Sequence, residues 1–241
     1  MHDDVKRVTE VDALRGIAIV LMVAYHIFFD LNYFGIVGIA LQELPWVLFQ
    51  RIVGSLFILL VGVSLTLSEA RNKEGYPHHV KRALMLGAIA LLITVATWIY
   101  PHQAFIKFGI IHLIAISTLI APFFFRFGRW NVLLGLAIIA AGLLTVGAQT
   151  DSPYFFWLGI TYPGYTALDH YPLLPWFGIV LVGIYAGQVL FPAGKSTLHV
   201  PTSPLLSKLA FLGRHSLTIY LLHQPLLVIV MLVLKALAGI P

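Results

Sequence analysis

From Ala83 to Ile99 the chain runs seventeen residues without one charged side chain, and several comparable runs follow or precede it. Crossing about 30 Å of hydrocarbon takes a helix of about 20 apolar residues. Hydrocarbon offers the backbone no hydrogen-bond partner, so a crossing segment is either a helix or part of a closed barrel. Barrel strands alternate apolar and polar side chains over about 10 residues, and the run from Ala83 does not alternate. The chain has 241 residues, 59% of them hydrophobic and 10% charged, against about 25% charged in a soluble domain. A soluble fold with an enlarged core does not account for that deficit.

The expected fold is all-α, a polytopic membrane bundle of about seven transmembrane helices, forming a single domain over residues 1–241. Spans are expected at Asp12–Leu31, Trp46–Glu69, Ala83–Tyr100, Phe105–Phe125, Trp130–Gly147, Leu173–Phe191 and Leu212–Leu237. Between the fifth and sixth lies 150–171, holding Tyr154, Phe155, Phe156, Trp157, Tyr162 and Tyr165. That is too aromatic for a free loop and reads as an interfacial or re-entrant segment. Asp3, Asp4, Glu10 and Asp12 surround the start of the first run, and no small-residue cleavage site follows it, so the first helix is expected to stay as a signal anchor.

Basic residues alternate by side. Lys6 and Arg7, then Arg71, Lys73, Lys81 and Arg82, then Arg126 and Arg129, then Lys195, Lys208 and Arg214 occupy every other connection. The intervening ones carry Glu43, His102, Asp151, Asp169 and His170. Positive charge stays on the cytoplasmic side, which places the N-terminus there and the C-terminus outside. Lys107 and Lys235 sit near outer helix ends, where long side chains snorkel. The net charge of +5 therefore reads as topology, not nucleic-acid binding. A prokaryotic inner or plasma membrane is the expected location. Lipids are the expected surroundings, and a homodimer is among the arrangements open to the chain.

An ionisable side chain inside a span costs about 2.5–3.5 kcal/mol on insertion scales, so each one calls for a partner or a function. His26 and Asp30 lie in the first helix, Arg51 in the second, His112 in the fourth and His223 near the middle of the last. At about 100° per residue, Arg15, His26 and Asp30 share one face of the first helix, a polar stripe suited to an interior cavity. An Asp one turn from a His can orient the ring for general-base work, which makes His26 the candidate base and Asp30 its orienter. His112 and His223 read equally as neighbours bonded to a carbonyl or as transition-state contacts. Arg51 reads as substrate contact or interfacial anchor, and Asp169-His170 as substrate contact or ordinary helix start. The aromatic loop reads as interfacial belt or sugar platform. His2, His78, His79 and His199 are expected to be solvated loop residues. Arg15, Arg82 and Arg214 at the basic mouth suit phosphate groups. With no cysteine, disulfides and thiolate chemistry are excluded. No HxxxH or HExxH spacing occurs among the ten histidines, and no metal is expected.

Several stretches resemble one family in order along the chain. Val11-Asp12-Ala13-Leu14-Arg15-Gly16-Ile17-Ala18-Ile19 with His26, Gly54-Ser55-Leu56-Phe57, and Phe108-Gly109-Ile110-Ile111-His112 are similar to the heparan-alpha-glucosaminide N-acetyltransferase family. So are Leu174-Pro175-Trp176-Phe177-Gly178 and Tyr220-Leu221-Leu222-His223-Gln224-Pro225. The resemblance implies a membrane acyltransferase that moves an acetyl group from cytosolic acetyl-CoA to an amine or hydroxyl of a small-molecule or glycan acceptor across the membrane. It implies acetyl-CoA as acyl donor. Arg51, Asp169 and Tyr220 are the candidate substrate-binding residues. The family's catalytic histidine is expected between the first two helices. Asn32–Leu44 contains none, and His26 stands as its replacement. The rival reading is a proton-coupled transporter using the His/Asp pair as a relay, although no two matching halves with broken helices are present.

Overall fold

A computed structural model describes residues 8–71, 74–198, 200–201 and 203–237. The expectations attached to His2, Lys6, Arg7, Lys73 and His199 lie outside the described residues. Eight α-helices form among those described: α1 (Thr9–Tyr33), α2 (Leu44–Arg71), α3 (Tyr76–Ile99), α4 (Ile110–Ile120), α5 (Trp130–Leu144), α6 (Leu173–Leu190), α7 (Pro204–Arg214) and α8 (Ser216–Leu237). Six segments are long and apolar enough to cross a membrane, namely α1, α2, α3, Ile110–Phe127, α6 and α8. The fourth of these is α4 continued by a 3-10 run, Ala121–Phe127. With the shorter apolar α5, the all-helical reading and its seven segments stand.

The chain divides into two compact units. One gathers the described residues of Lys6–Phe57 and His199–Pro241: α1, the first half of α2, α7 and α8. Here α7 follows an N-cap in which the Ser203 hydroxyl accepts from the Leu206 N–H at 3.1 Å, with Pro204 in the first turn. It lies against α1 at two glycines. Gly16 meets the backbone of Leu209, and Gly213 meets the backbone of Asp12 so closely that a Cβ would run into its carbonyl oxygen. Small residues let helices approach this far, which strengthens packing where no hydrophobic force drives association. Ile19, Met22 and Val53 form a core covered by Phe49, Phe57, Leu212, Ile219 and Tyr220. The last expected span, Leu212–Leu237, is instead two helices, separated at His215, whose Nδ1–H turns back to the Phe211 carbonyl at 2.8 Å. Lys208 and Arg214, expected in a connection, sit on α7.

The second unit gathers the described residues of Ile58–Leu198. Its helices also meet at glycines. Gly62 lies on the Val180 carbonyl, Gly183 on that of Leu59, and Gly135 of α5 faces Gly178 of α6. Polar side chains tie this unit through main-chain carbonyls: Thr66 donates to Ile184 at 3.1 Å, Asn131 to Phe124 at 2.9 Å and Gln188 to Phe125 at 2.7 Å. Two boundaries differ from expectation. Gly75 at φ 69° and Pro77 in the first turn start α3 at Tyr76 rather than Ala83, since a glycine tolerates that φ and proline suits a helix start. His79 is consequently not a solvated loop residue. It is buried, with Nε2 at 2.7 Å from a Glu69 carboxylate oxygen. The fourth helix begins at Ile110 because the segment before it runs extended, with Phe108 paired to His170.

The aromatic segment is held by its backbone rather than by a helix, apart from one 3-10 turn at Phe156–Leu158. The N–H of Thr150 donates to Thr161, that of Leu168 to Ala104 and that of Tyr171 to Phe108, at 2.8–3.0 Å. Tyr154, Phe155 and Trp157 remain exposed.

Candidate functional site

In the first unit, α1 offers His26 and Asp30 one turn apart, and α8 offers the adjacent His223 and Gln224. The four side chains meet in two pairs, one from each helix. The His26 and His223 rings lie edge to face with centroids 4.8 Å apart at 78°. Gln224 donates its amide N–H to Asp30 Oδ1 at 2.8 Å. Asp30 and His223 are both buried. Tyr25 stands edge-on to His26 and reaches Phe49 of α2, while Tyr220 flanks His223 at 5.6 Å.

The tautomers follow from the partners. His26 Nδ1 is 2.9 Å from the Met22 carbonyl and His223 Nδ1 is 2.6 Å from the Tyr220 carbonyl. A carbonyl only accepts, so each Nδ1 carries the proton and each Nε2 of a neutral ring carries a lone pair. The spacing on α1 pointed to Asp30 as the group that orients His26. The ring is held by the Met22 carbonyl instead, and Asp30 is held by Gln224. Three buried atoms at this place have no protein partner: Asp30 Oδ2, His223 Nε2 and Gln224 Oε1. All three are hydrogen-bond acceptors when Asp30 is ionised.

Gln224 and the Met22 carbonyl were not singled out from the sequence. Gln224 had one signal, an amide beside a mid-helix histidine and directly before Pro225, which lies inside α8. A proline there removes the N–H that would bond to Leu221 and loosens the helix.

Of the remaining candidates in this unit, Arg51 is exposed. Arg15 pairs with Asp12 at 2.5 Å toward the other end of α1. Arg214 is exposed and follows Gly213, the residue pressed on Asp12, so α7 brings its guanidinium to that end of α1.

In the second unit, both His112 nitrogens are committed. The Gly109 N–H donates to Nδ1 at 3.2 Å, leaving Nε2–H to donate to the Thr94 hydroxyl at 3.2 Å. Thr94 in turn donates to the Ile106 carbonyl at 2.7 Å. That geometry is a helix cap joining α3 to α4. Asp169 caps the same helix, accepting from the Ile110 N–H at 2.9 Å, and Gly109 leaves room for its carboxylate. Burial pushes the Asp169 carboxyl up to about 6, against the opposing pull of the Ile110 N–H. Beside it, burial raises the Tyr165 hydroxyl further above its ordinary range. Lys107 lies over the Phe105 and Tyr165 rings and donates to the Thr166 carbonyl at 3.0 Å. Arg82 is exposed on α3.

Apolar helices of spanning length, two of which bring the His26 and His223 rings together, define a multi-pass membrane protein. The family model described as heparan-alpha-glucosaminide N-acetyltransferase, catalytic, matches residues 7–225. The chain therefore belongs to that family of membrane transferases, as its motifs implied. Comparison with curated proteins and with solved structures gave no match.

Proposed function

We propose that this protein transfers an acetyl or related acyl group from cytosolic acyl-CoA to an amine or hydroxyl of an acceptor on the opposite side of the membrane, the acceptor being a sugar. The observation that carries this reading is the His26–His223 pair, two rings whose Nδ1–H groups are spent on main-chain carbonyls, so that each neutral ring keeps the lone pair on Nε2 as a base. His26 Nε2 removes the acceptor's proton as the acceptor's nitrogen or oxygen bonds to the acyl carbon. The carbon–sulfur bond then breaks, and the departing CoA thiolate takes up the proton. His223, 4.8 Å away, is close enough to share that proton. The two rings are not both charged, since like charges at this range repel strongly away from water. Arg15 and Arg214, at the far end of α1, supply guanidinium groups suited to the phosphates of CoA.

The test is transfer of labelled acetyl from acetyl-CoA to glucosamine by the purified protein. Loss of transfer in folded His26→Ala supports the mechanism; unchanged transfer in that variant ends it. Uptake of substrate into proteoliposomes without acyl-CoA would favour a proton-coupled carrier instead.

A further inference from the structure

We infer that Gln224 is a positioning residue, which fixes the Asp30 carboxyl and sets α8 against α1 where His26 and His223 meet. The inference rests on the transferase reading of that site.

The amide is an expensive choice for α8. A buried amide costs free energy for every donor or acceptor it leaves unmade. Gln224 satisfies one N–H on Asp30 Oδ1 and leaves Oε1 buried without a partner. An apolar side chain of the same length would pack there without that penalty, so stability alone does not explain the residue. What the amide does supply is a fixed orientation. Asp30 has no other hydrogen-bond donor to its carboxylate among the described residues, and its Oδ2 is buried and unpartnered. Without the Gln224 N–H, the carboxyl is free to rotate about its Cβ–Cγ bond. Holding Oδ1 stops that rotation.

The placement along the helices agrees. His223 and Gln224 are neighbours on α8, while their partners His26 and Asp30 are one turn apart on α1. The short imidazole meets the nearer residue and the longer amide reaches the farther one. The same bond therefore sets where α8 sits against α1, and with it the edge-to-face geometry of the two rings. The titratable groups at this place are Tyr25, His26 and Asp30 from α1 and Tyr220 and His223 from α8, with Phe49 the neighbour from α2.

Three variants test this: Gln224→Met, which keeps the reach and removes the donor; Gln224→Asn, which keeps the amide but falls short; and the swap Asp30→Asn with Gln224→Glu, which reverses the polarity of the bond. The readouts are kcat and KM for acetyl transfer to glucosamine, the thermal midpoint in detergent, and the imidazole 15N resonances of His26 and His223 across pH. Gln224→Met is expected to hold its thermal midpoint while kcat falls about 10- to 100-fold, KM for acetyl-CoA stays unchanged and both histidine titrations move. The swap is expected to keep the midpoint without recovering kcat, because the carboxylate is now on the wrong helix. Wild-type kcat with unmoved resonances in Gln224→Met overturns the inference, and so does full recovery of kcat in the swap. Should Gln224→Met not fold, Gln224→Asn is read by the same criteria. If the wild-type protein transfers no acetyl group, the transferase reading fails by itself. The resonances then decide positioning alone, moved resonances upholding it and unmoved ones overturning it.

Discussion

The imidazole of His223 stands edge-on to that of His26 at 4.8 Å, and each ring is anchored by a carbonyl of its own helix, Tyr220 in one case and Met22 in the other. Because the anchors are main-chain atoms, each ring is tethered to its own helix. In the proposed mechanism the pair acts as one proton-accepting unit held on two helices.

Removing either ring should therefore remove most of what the pair does. His26→Ala and His223→Ala are each expected to lower acetyl transfer by about 10²–10⁴-fold, the range for general-base groups. The double variant should be scarcely worse than the more severe single one, since groups that act as a unit are not additive. Steady-state rates for the three proteins check this, with thermal midpoints showing that each is folded.

Asp169 gives a pH dependence with a definite sign. Its carboxyl, raised by burial to about 6, holds its proton more tightly in the folded chain than unfolded, where the ordinary value is 3.8. Between those values the folded state binds more protons, so stability falls as pH rises from about 4 to about 6. Asp169→Asn keeps an oxygen that accepts from Ile110 and loses the titration. Thermal midpoints across this range should show a decline in the wild-type protein that the variant lacks.

Glu69→Ala should be destabilising although Glu69 is partly exposed. Its carboxylate is the partner of the buried His79 Nε2 at 2.7 Å, and stranding a buried donor costs about 1–3 kcal/mol. A thermal midpoint lowered relative to wild type, with little change in Lys81→Ala, whose partner Glu74 is also exposed, is the expected result.

Two glycines should respond oppositely to alanine. A Cβ at Gly213 meets the Asp12 backbone, which cannot withdraw, so Gly213→Ala is expected to cost about 1–3 kcal/mol. A Cβ at Gly87, within α3, meets nothing within 4 Å. Gly87→Ala should be neutral or gain about 0.4–1 kcal/mol by restricting the unfolded chain. Midpoints of both variants in one detergent make the comparison.

How much of this was legible beforehand depends on range. Apolar runs are local, so the number and order of the spanning helices could be read directly. The i, i+4 step from His26 to Asp30 also fixed their shared face without knowledge of any neighbour. What could not be read was which residue of another helix each would meet. Asp30 sits a turn from His26, which made a bond between them the natural expectation, yet the Met22 carbonyl and the Gln224 amide were the partners found. His79 was misplaced for a different reason: Gly75 and Pro77 start α3 earlier than the hydropathy does, carrying two histidines from an expected loop into a helix. His112 shows the opposite case, an intramembrane histidine whose two nitrogens are both used within the fold. A sequence gives no sign of that, because one bond depends on the turn before α4 and the other on Thr94 of α3.

The fifteen residues of α5 have a consequence for the lipid around them. At about 1.5 Å per residue the helix is about 22 Å long, some distance short of a bilayer core of about 30 Å. Leu144 and Val146 at its end are 88% and 75% exposed, so greasy surface continues just past the last turn. Lipids along α5 shorten or sink to match it. Acyl-chain length in the surrounding leaflets thus becomes a variable that acts on this helix.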